Sequence, residues 1–457
     1  MHDKVQGLTV SKTTPSRAAE PCRPPDAETL LARPSWPLRT GEEESLLRGR
    51  RVLVTGAGGT IGSALARRAV DCGAGPVFLL DQDECALHST VLALSGRGFH
   101  ENDRALLADI RDAARMQRLF RRTRPEIVYH AAALKHLPLL ERNPAEAVKT
   151  NVLGTRNLVD AALQTGVERF TLVSTDKAAD PASVLGATKR LAEEVLRAGA
   201  AQGARRIAFA SVRFGNVLGS RGSFLGTVLE QLRRGLPITV TDPEATRFFM
   251  TVSEAVSLLI QASAMASHGE VYSLDMGEPV RIIQLVERLA ALQGISVPPV
   301  RVTGLQPGEK LREELVGTQE LRNPTAHPRI WNLGLKPVRP DLAQRLDELR
   351  AAAEQGHRKA LIRTLGELCD TYRLPAEPPA PPAGTTTPAP WAALRPTGTT
   401  APRTGTTAPR TGTTAPRKEP PRIRRELIPE PGGATPAPVA VHPERTMTTA
   451  PAAAAEW

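Results

Sequence analysis

The chain has 457 residues, and its 59 Lys and Arg against 48 Asp and Glu give a formal net charge of +11 at pH 7. Aromatic residues make up only 4% of the chain, and the basic residues are not clustered with them, so a nucleic-acid-binding surface is not expected. The four cysteines lack the spacing of a metal site, and no apolar run approaches the roughly 20 residues of a membrane span. Composition therefore predicts a cytoplasmic protein with no membrane span, no bound metal and no nucleic-acid partner.

Both ends of the chain have compositions typical of disordered segments. Residues 1–48 show no periodic apolar pattern, and residues 375–457 hold 19 of the 40 prolines and almost no large apolar side chains. Such a tail cannot bury enough surface to offset the loss of chain entropy. It also contains the heptapeptide TGTTAPR three times in tandem, at 397–403, 404–410 and 411–417, without the apolar positions of a coiled coil. We therefore expect one folded body over residues 49–374.

The body alternates short apolar runs with helix-like segments. The strand-like runs lie at 51–55, 76–81, 105–110, 126–132, 169–176 and 207–216. Continuous apolar strands separated by helices are typical of a parallel sheet that is covered on both faces. The sequence predicts the α/β class, with a doubly wound parallel sheet and a smaller C-terminal lobe.

A glycine-rich turn follows the first strand. The spacing of Gly56, Gly59 and Gly62 suits a tight turn, close approach to a pyrophosphate and close helix packing. Asp81, at the end of the second strand, is placed to accept hydrogen bonds from a ribose 2′-hydroxyl and to repel a 2′-phosphate. We predict a dinucleotide site for NAD, with NADP as the alternative. The other predicted cofactor contacts are Thr60, Ile61, Asp109, Ile110, Ala131 and Lys189.

The stretch STDKAADPASVLGATK at 174–189 supplies the candidate catalytic residues. Asp176 and Lys177 follow the fifth strand, at the edge where open α/β sheets bind their ligands, and offer an acid next to a base. Leu185 and Lys189 are four residues apart on the next helix and therefore share one face. A tyrosine at position 185 would shuttle the proton of a hydroxyl being oxidised, which leucine cannot do. A surface ion pair is the alternative explanation for Asp176 and Lys177.

Nine stretches of the body resemble one family. They are TGAGGTIGS, HAAALKHLPLLE, NVLGT, STDKAADP, GATKRLAE, VRFGNVLGSRGSF, TRFFMTVSEAV, LDMGEP and GLQPGEKLREEL. In this order they resemble the extended short-chain dehydrogenase/reductases, and among them the polysaccharide-biosynthesis group of UDP-N-acetylglucosamine 4,6-dehydratases. The resemblance implies a mainly NAD-binding part at 49–215, and a substrate lobe with C-terminal helices at 216–374. Leu185 resembles the family's membrane-anchored members, which carry Met there, although this chain lacks their membrane helices.

The resemblance also implies a reaction. The C4 hydroxyl of a nucleotide-linked hexose is oxidised, water is eliminated across C5 and C6, and C6 is reduced, which leaves a 4-keto-6-deoxy sugar. Lys177 would be the base at C5, Asp176 the acid at the C6 oxygen, and Thr175 a partner of the substrate hydroxyl. Lys189 would anchor the cofactor ribose. With Leu185 in place of tyrosine, the C4 proton would leave by Thr175, by water or by Lys177.

The remaining candidates are implied to bind the substrate. They are Lys135, Asn151, Asn216, Arg221, Arg247 and Glu309. The last four lie in motifs that form the family's smaller lobe around the nucleotide diphosphate, where an arginine fork suits a pyrophosphate. A structural ion pair is the alternative for each of these four. The family habit also implies a homo-oligomer.

Two other functions stay open at this stage. A C4 epimerase would return the hydride to C4 from the other face and would need no acid at C6, so Asp176 next to Lys177 favours elimination. A catalytically silent NAD-binding scaffold would use the fold only for binding. Leu185 favours the silent scaffold, whereas the presence of Asp176, Lys177 and Lys189 counts against it.

Overall fold

The computed structural model describes residues 27–36, 40–97, 103–202, 206–369 and 372. The predicted disorder of residues 375–457 lies outside these residues. The helices are α1 Ala27–Leu31, α2 Thr40–Leu47, α3 Thr60–Asp71, α4 Glu84–Ser95, α5 Ala113–Thr123, α6 Leu137–Arg142, α7 Pro144–Ala147, α8 Thr155–Leu163, α9 Val184–Gln202, α10 Phe224–Arg233, α11 Val252–Met265, α12 Ile282–Leu292, α13 Leu342–Glu354 and α14 Arg358–Leu368. A π-helical turn, Val148–Gly154, precedes α8.

The strands of the described residues form one large sheet and three small ones. They are β1 Val52–Thr55, β2 Val77–Asp81, β3 Ala105–Leu107, β4 Ile127–His130, β5 Arg169–Val173, β6 Ala208–Arg213, β7 Asn216–Val217, β8 Ile238–Val240, β9 Thr246–Arg247, β10 Phe249–Met250, β11 Glu270–Leu274, β12 Val280–Arg281, β13 Val300–Val302, β14 Leu321–Pro324 and β15 Ile330–Gly334. The large sheet has the order β14-β15-β11-β6-β5-β4-β1-β2-β3. Strands β3 to β11 in this order pair in parallel, and β15 and β14 are added antiparallel at one edge.

Helices cover both faces of this sheet, as the apolar strands predict. Alternate side chains of β1 enter different cores: Leu53 packs with residues of α5, α8 and α9, whereas Val52 and Val54 pack with residues of α3 and α11. All four residues of β1 are buried, because a strand in the centre of a two-faced sheet has no side exposed to water. The strand order 3-2-1-4-5-6 is that of the doubly wound dinucleotide-binding fold, with the switch point between β1 and β4. The predicted fold class is confirmed.

A third core forms the smaller lobe. Its buried side chains come from α10, β8 and α12, and they include Val228, Ile238 and Leu285. Strand β8 pairs in parallel with β13 along its edge. Leu30 and Leu31 of α1 belong to the same core, so the N-terminal segment packs on this lobe.

The structure corrects the prediction of disorder for the described part of residues 1–48. Helix α2 has a polar sequence, TGEEESLL, yet Glu43 is fully buried. Its carboxylate accepts hydrogen bonds from Arg68 of α3 and from Ser257 and Gln261 of α11. A carboxylate is buried only where such partners exist, and they come from distant parts of the chain. The local pattern of α2 therefore could not reveal its burial.

No helix among the described residues is both long enough and apolar enough to cross a membrane.

Candidate active site

The glycine turn after β1 has the geometry of a phosphate-binding loop. Gly56 has a φ of +69°, and a Cβ on it would lie 2.5 Å from the backbone nitrogen of Ala132. A Cβ on Gly62 would lie 2.0 Å from the carbonyl oxygen of Gly56, so neither position tolerates a side chain. Helix α3 begins at Thr60, and no side chain caps its first turn. Its free N–H groups are therefore available for a pyrophosphate.

Asp81 lies beside this turn, as predicted. Its carboxylate accepts hydrogen bonds from the backbone N–H of Gly58 at 2.8 Å and of Asp83 at 3.0 Å. A cavity of about 260 Å³ lies between these groups and the loops after β3 and β4. Its lining includes Gly56, Gly59, Asp81, Asp109, Ile110 and Ala131. The turn, the carboxylate and this cavity fit the adenosine half of NAD.

A second cavity, of about 550 Å³, continues past the glycine turn to the ends of β5 and β6. The predicted residues that line it are Gly56, Gly59, Thr60, Ile61, Gly62, Ala131, Lys135, Thr175, Lys177, Lys189, Asn216 and Arg221, with Leu185 beside them. The two cavities share the glycine turn. The fold therefore brings Thr175, Lys177 and Lys189 next to the predicted cofactor residues, whereas Asp176 is fully buried and does not line the cavity.

Lys177 lines the second cavity and is the centre of a charged cluster whose carboxylates are buried behind the cavity wall. Its Nζ lies 2.9 Å from Oδ1 of Asp176 and 3.4 Å from Oε1 of Glu313. Thr175 donates its hydroxyl hydrogen to the same Oδ1 at 2.8 Å. Burial opposes the charge of Lys177, but the two carboxylates outweigh burial and raise the pKa of this lysine. Without a ligand, Lys177 is therefore an ammonium at neutral pH.

Glu313 is a site residue that the sequence reasoning missed. It is 6% exposed, and its Oε2 has no hydrogen-bond partner among the described residues. Burial raises its pKa, against the effect of Lys177. It lies in the stretch GLQPGEKLREEL, where the adjacent Glu314 is exposed. Two neighbouring glutamates in a loop carry no local signal that tells which one points inward.

Lys189 and Leu185 occupy the positions that their helical spacing predicts. Lys189 donates a hydrogen bond from Nζ to the carbonyl oxygen of Val173 at 2.6 Å. Burial lowers the pKa of Lys189 to about 8, against the opposing charge of Glu193. Leu185 is 5% exposed and lines the cavity with Lys189. The wall of the cavity at position 185 is therefore apolar and carries no group that accepts a proton.

Lys135 lies in the loop after β4, and Asn151 lies in the π-helical turn Val148–Gly154. Lys135 lines the second cavity and donates a hydrogen bond from Nζ to the carbonyl oxygen of Arg221 at 2.7 Å. Asn151 lies behind the loop rather than in either cavity. Its side chain binds both the N–H and the C=O of Leu134, at 2.9 and 3.1 Å. Asn151 therefore holds the loop backbone in place, and a direct contact with substrate stays a prediction.

Arg247 and Glu309 differ from the expectation that they face a diphosphate. Nη2 of Arg247 lies 2.7 Å from Oε1 of Glu309, and its Nη1 donates to the carbonyl oxygens of Thr246 and Leu311. Neither residue lines the two cavities. The guanidinium of Arg247 is therefore occupied by protein groups. This is the structural ion pair that the sequence left open as the alternative for both residues. Arg221 instead lies over the glycine turn, with Nη1 2.9 Å from the carbonyl oxygen of Gly58.

The sheet order, the glycine turn with Asp81 and the lysine helix after β5 define an extended short-chain dehydrogenase/reductase. The chain matches the model of the family described as polysaccharide biosynthesis protein over residues 52–334. It belongs to this family, and the predicted resemblance is confirmed.

Curated relatives carry several names. The chain is 44% identical over 319 residues to the probable polysaccharide biosynthesis protein EpsC of Bacillus subtilis, which covers 69% of this chain and 53% of EpsC. It therefore spans about half the length of that relative. It is 30% identical to a UDP-glucose 4-epimerase of Rickettsia rickettsii, over 60% of this chain and 79% of that protein. It is 29% identical to the inverting UDP-N-acetylglucosamine 4,6-dehydratase of Campylobacter jejuni, over 60% of this chain and 80% of that enzyme.

Solved structures share the fold. Pen from Bacillus thuringiensis superposes with a TM-score of 0.58 at 30% identity, over 64% of this chain and 89% of Pen. The UDP-glucose 4-epimerase of Thermus thermophilus, solved with NAD, gives a TM-score of 0.52 at 25% identity, over 58% of this chain and 90% of that enzyme. NAD-bound relatives of this fold support a dinucleotide in the two cavities described above.

Proposed function

We propose that the protein is a nucleotide-sugar 4,6-dehydratase that uses NAD and acts on a UDP-N-acetylhexosamine, with UDP-N-acetylglucosamine as the first candidate. One observation carries the proposal: Asp176 and Lys177 form an acid–base pair with an N–O distance of 2.9 Å, and Lys177 lines the cavity beside the glycine turn. Elimination of water needs such a pair, because one group must take the C5 proton while another protonates the leaving hydroxyl. The cytoplasmic location and the homo-oligomer stay predictions.

The proposed role of each residue is based on its position relative to the two cavities. NAD held at the glycine turn would supply the hydride chemistry, with removal of a hydride from C4 and its return to C6. Lys177 takes the C5 proton, Asp176 protonates the departing C6 oxygen, and Thr175 contacts the sugar hydroxyl. Lys189 hydrogen-bonds the nicotinamide ribose, and Asp81 the adenosine ribose, where its charge favours NAD over NADP.

A C4 epimerase is the second candidate, because the chain is 30% identical to a protein named as a UDP-glucose 4-epimerase. An epimerase returns the hydride to C4 and leaves C5 and C6 untouched. The two activities therefore give different products from the same substrate. The dehydratase loses one water from the sugar, whereas the epimerase product has the mass of the substrate.

The first experiment is to incubate the purified chain with UDP-N-acetylglucosamine and follow product mass and ultraviolet absorbance at alkaline pH. We expect loss of one water with no net consumption of NAD. An isomer of unchanged mass would establish the epimerase instead. No product from a panel of nucleotide sugars, with NAD still bound, would leave a silent NAD-binding protein and contradict the proposal.

The assignment of roles is tested by three variants. Asp176→Asn and Lys177→Ala should each lower the rate of dehydration by about 10²–10⁴-fold, because each removes one partner of the proton transfer. Leu185→Ala should have a far milder effect, because leucine takes no proton. Binding of NAD, followed by fluorescence titration, should persist in all three. Equal loss of activity in the three variants would contradict the roles given to Asp176 and Lys177.

A further inference from the structure

In the proposed reaction, the C4 proton has no acceptor at position 185. Oxidation of a C4 hydroxyl to a ketone releases one proton to the protein. The protein gives up this extra proton only when C5 is protonated at the end of the reaction. Some group must therefore hold a proton in between. Leu185 cannot, although it lines the cavity next to Lys189.

A continuous row of polar groups leads away from the cavity. Thr175 Oγ1 lies 2.8 Å from Asp176 Oδ1, which lies 2.9 Å from Lys177 Nζ. Lys177 Nζ in turn lies 3.4 Å from Glu313 Oε1. The row begins at a hydroxyl that lines the cavity and ends at a buried carboxylate. We call these four residues the proton row.

The count of protons shows why Asp176 and Lys177 are not sufficient by themselves. At rest the pair is a carboxylate and an ammonium. A proton arriving from the C4 hydroxyl makes Asp176 a carboxylic acid, ready to protonate the C6 oxygen. Lys177 is then still an ammonium and cannot accept the C5 proton. Elimination needs a third group that takes one proton from Lys177.

We propose that Glu313 is this group: a positioning residue that takes the ammonium proton of Lys177 when the C4 proton reaches Asp176. This inference rests on the proposed function. The step is balanced, because one N–H bond of Lys177 breaks while an O–H bond forms on Glu313, and the C4 proton arrives on Asp176 through Thr175. Afterwards Asp176 and Glu313 are both carboxylic acids and Lys177 is a neutral amine. Oxidation at C4 thereby prepares the acid and the base of the elimination together.

The same row returns to its starting state. Elimination moves the C5 proton to Lys177 and the Asp176 proton to the leaving hydroxyl. Reduction at C6 is accompanied by return of a proton from Lys177 to C5. Glu313 then gives its proton back to Lys177, so each turnover ends with two carboxylates and one ammonium.

The surroundings of Glu313 suit a carboxyl group that holds a proton for part of the cycle. Oε2 has no partner in the described part of the chain, and burial raises the pKa of the group. Among the described residues, charges on Lys177, Asp176, Arg247 and Lys310 act on its pKa. Glu309 already neutralises Arg247 through a 2.7 Å ion pair. Lys310 donates a hydrogen bond to the carbonyl oxygen of Ala179 at 2.9 Å, whereas Lys177 Nζ lies 3.4 Å from Glu313 Oε1. Lys177 is therefore the cation whose proton Glu313 can share.

The test begins with a measurement that needs no turnover. The NAD-loaded full chain is labelled with limiting acetic anhydride at a series of pH values, and acetylation of Lys177 is read by mass spectrometry relative to the exposed Lys359. In Glu313→Gln the pH of half-maximal labelling should fall by about one unit or more, because a carboxylate within 4 Å favours the ammonium. Glu314→Gln, which changes the exposed neighbour, should label as the wild type does. An unchanged Lys177 profile in Glu313→Gln would overturn the proposal.

The second measurement is the pH profile of dehydration. Glu313→Gln should lose about 10-fold or more in kcat near pH 7.5 and recover towards pH 9–10, where solvent takes the proton of Lys177. Glu313→Asp, which keeps the carboxylate, should retain more activity and a flatter profile, and it replaces Glu313→Gln if that variant does not fold. Wild-type activity of Glu313→Gln at pH 7.5, or a loss that does not vary with pH, would overturn the role. If wild type itself eliminates no water, the proposed function fails, whereas the labelling still shows whether Glu313 controls Lys177.

Discussion

Gly215 packs directly against the carboxylate of Asp176. A Cβ on Gly215 would lie 2.9 Å from Asp176 Oδ2 and 3.1 Å from both Met276 Sδ and Phe248 Cβ. Asp176 is fully buried, and Oδ2 has no hydrogen-bond partner among the described residues. An added methyl group therefore crowds the Asp176 carboxylate.

We expect Gly215→Ala to lower kcat by about 10–100-fold, because misplacing a reacting group by about 1 Å costs this much. Gly215 lines the second cavity, but the nearest neighbours of a Cβ there are Asp176, Met276 and Phe248 rather than the glycine turn, so binding of NAD should be retained. Gly226→Ala is the control, because a Cβ there meets nothing within 4 Å. Steady-state kinetics of the two variants and the wild type measures kcat. An unchanged kcat in Gly215→Ala would show that Asp176 tolerates displacement.

At the scale of elements, Arg213 ties three parts of the chain together behind the active site. This fully buried arginine of β6 lies 2.7 Å from Glu193 of α9 and 2.7 Å from Glu320, which precedes β14. Ser174, at the end of β5, donates a hydrogen bond to the same Glu193 at 2.5 Å. The strand end that carries Thr175, Asp176 and Lys177 is thus held by a buried network of charges.

Arg213→Met should lower the free energy of unfolding by about 3–5 kcal/mol, because it removes the buried cation between the Glu193 and Glu320 carboxylates and leaves them to share Arg190. Arg233→Met removes an ion pair with Glu230 whose side chains are 57% and 52% exposed, and it should cost less than about 1 kcal/mol. Urea unfolding of both variants gives the comparison. A loss below about 1 kcal/mol in Arg213→Met would mean that the network adds little stability.

At the scale of the whole molecule, a buried histidine couples folding to pH. His130 is 1% exposed, and its ring nitrogens lie 2.8 Å from Thr55 Oγ1 and 2.9 Å from Thr155 Oγ1. Burial, with a smaller contribution from the charge of Lys189, lowers its pKa from 6.5 to about 3. The folded protein thus keeps this ring neutral at pH values where the unfolded chain protonates it.

The sign of the effect follows from linkage. Above pH 6.5 His130 is neutral in both states and has no effect, whereas below it only the unfolded chain gains a proton, so stability falls towards pH 3. We expect His130 to contribute a decrease of up to about 1.4 kcal/mol per pH unit between pH 6 and pH 5. Urea unfolding should show that His130→Gln lacks this contribution, and that His88→Asn, which changes an exposed ring, keeps it. The same pH slope in wild type and His130→Gln would contradict the assignment.

Much of the fold could be predicted because the information is local. The apolar run of β1, the glycine turn and the amphipathic start of α3 follow one another in the chain, and their spacing alone requires a strand, a tight turn and a helix. The third strand shows the limit of such reasoning, since it ends at Leu107 rather than at residue 110. Beyond Leu107 the chain turns, and the side chain of Asp109 accepts a hydrogen bond from Arg111. Asp hydrogen-bonds readily to nearby groups in turns.

By itself the sequence determined the α/β class, the glycine turn with Asp81, and the Asp176, Lys177 and Lys189 positions, because each depends on residues that are close in the chain. Only the tertiary structure decided that Glu313 lies 3.4 Å from Lys177, that Arg247 is paired with Glu309 and that Glu43 is buried by partners from α3 and α11. These pairings join residues far apart in the chain. A charged side chain can pair with any opposite charge that folding brings within reach. No local sequence pattern determines which distant residue that will be.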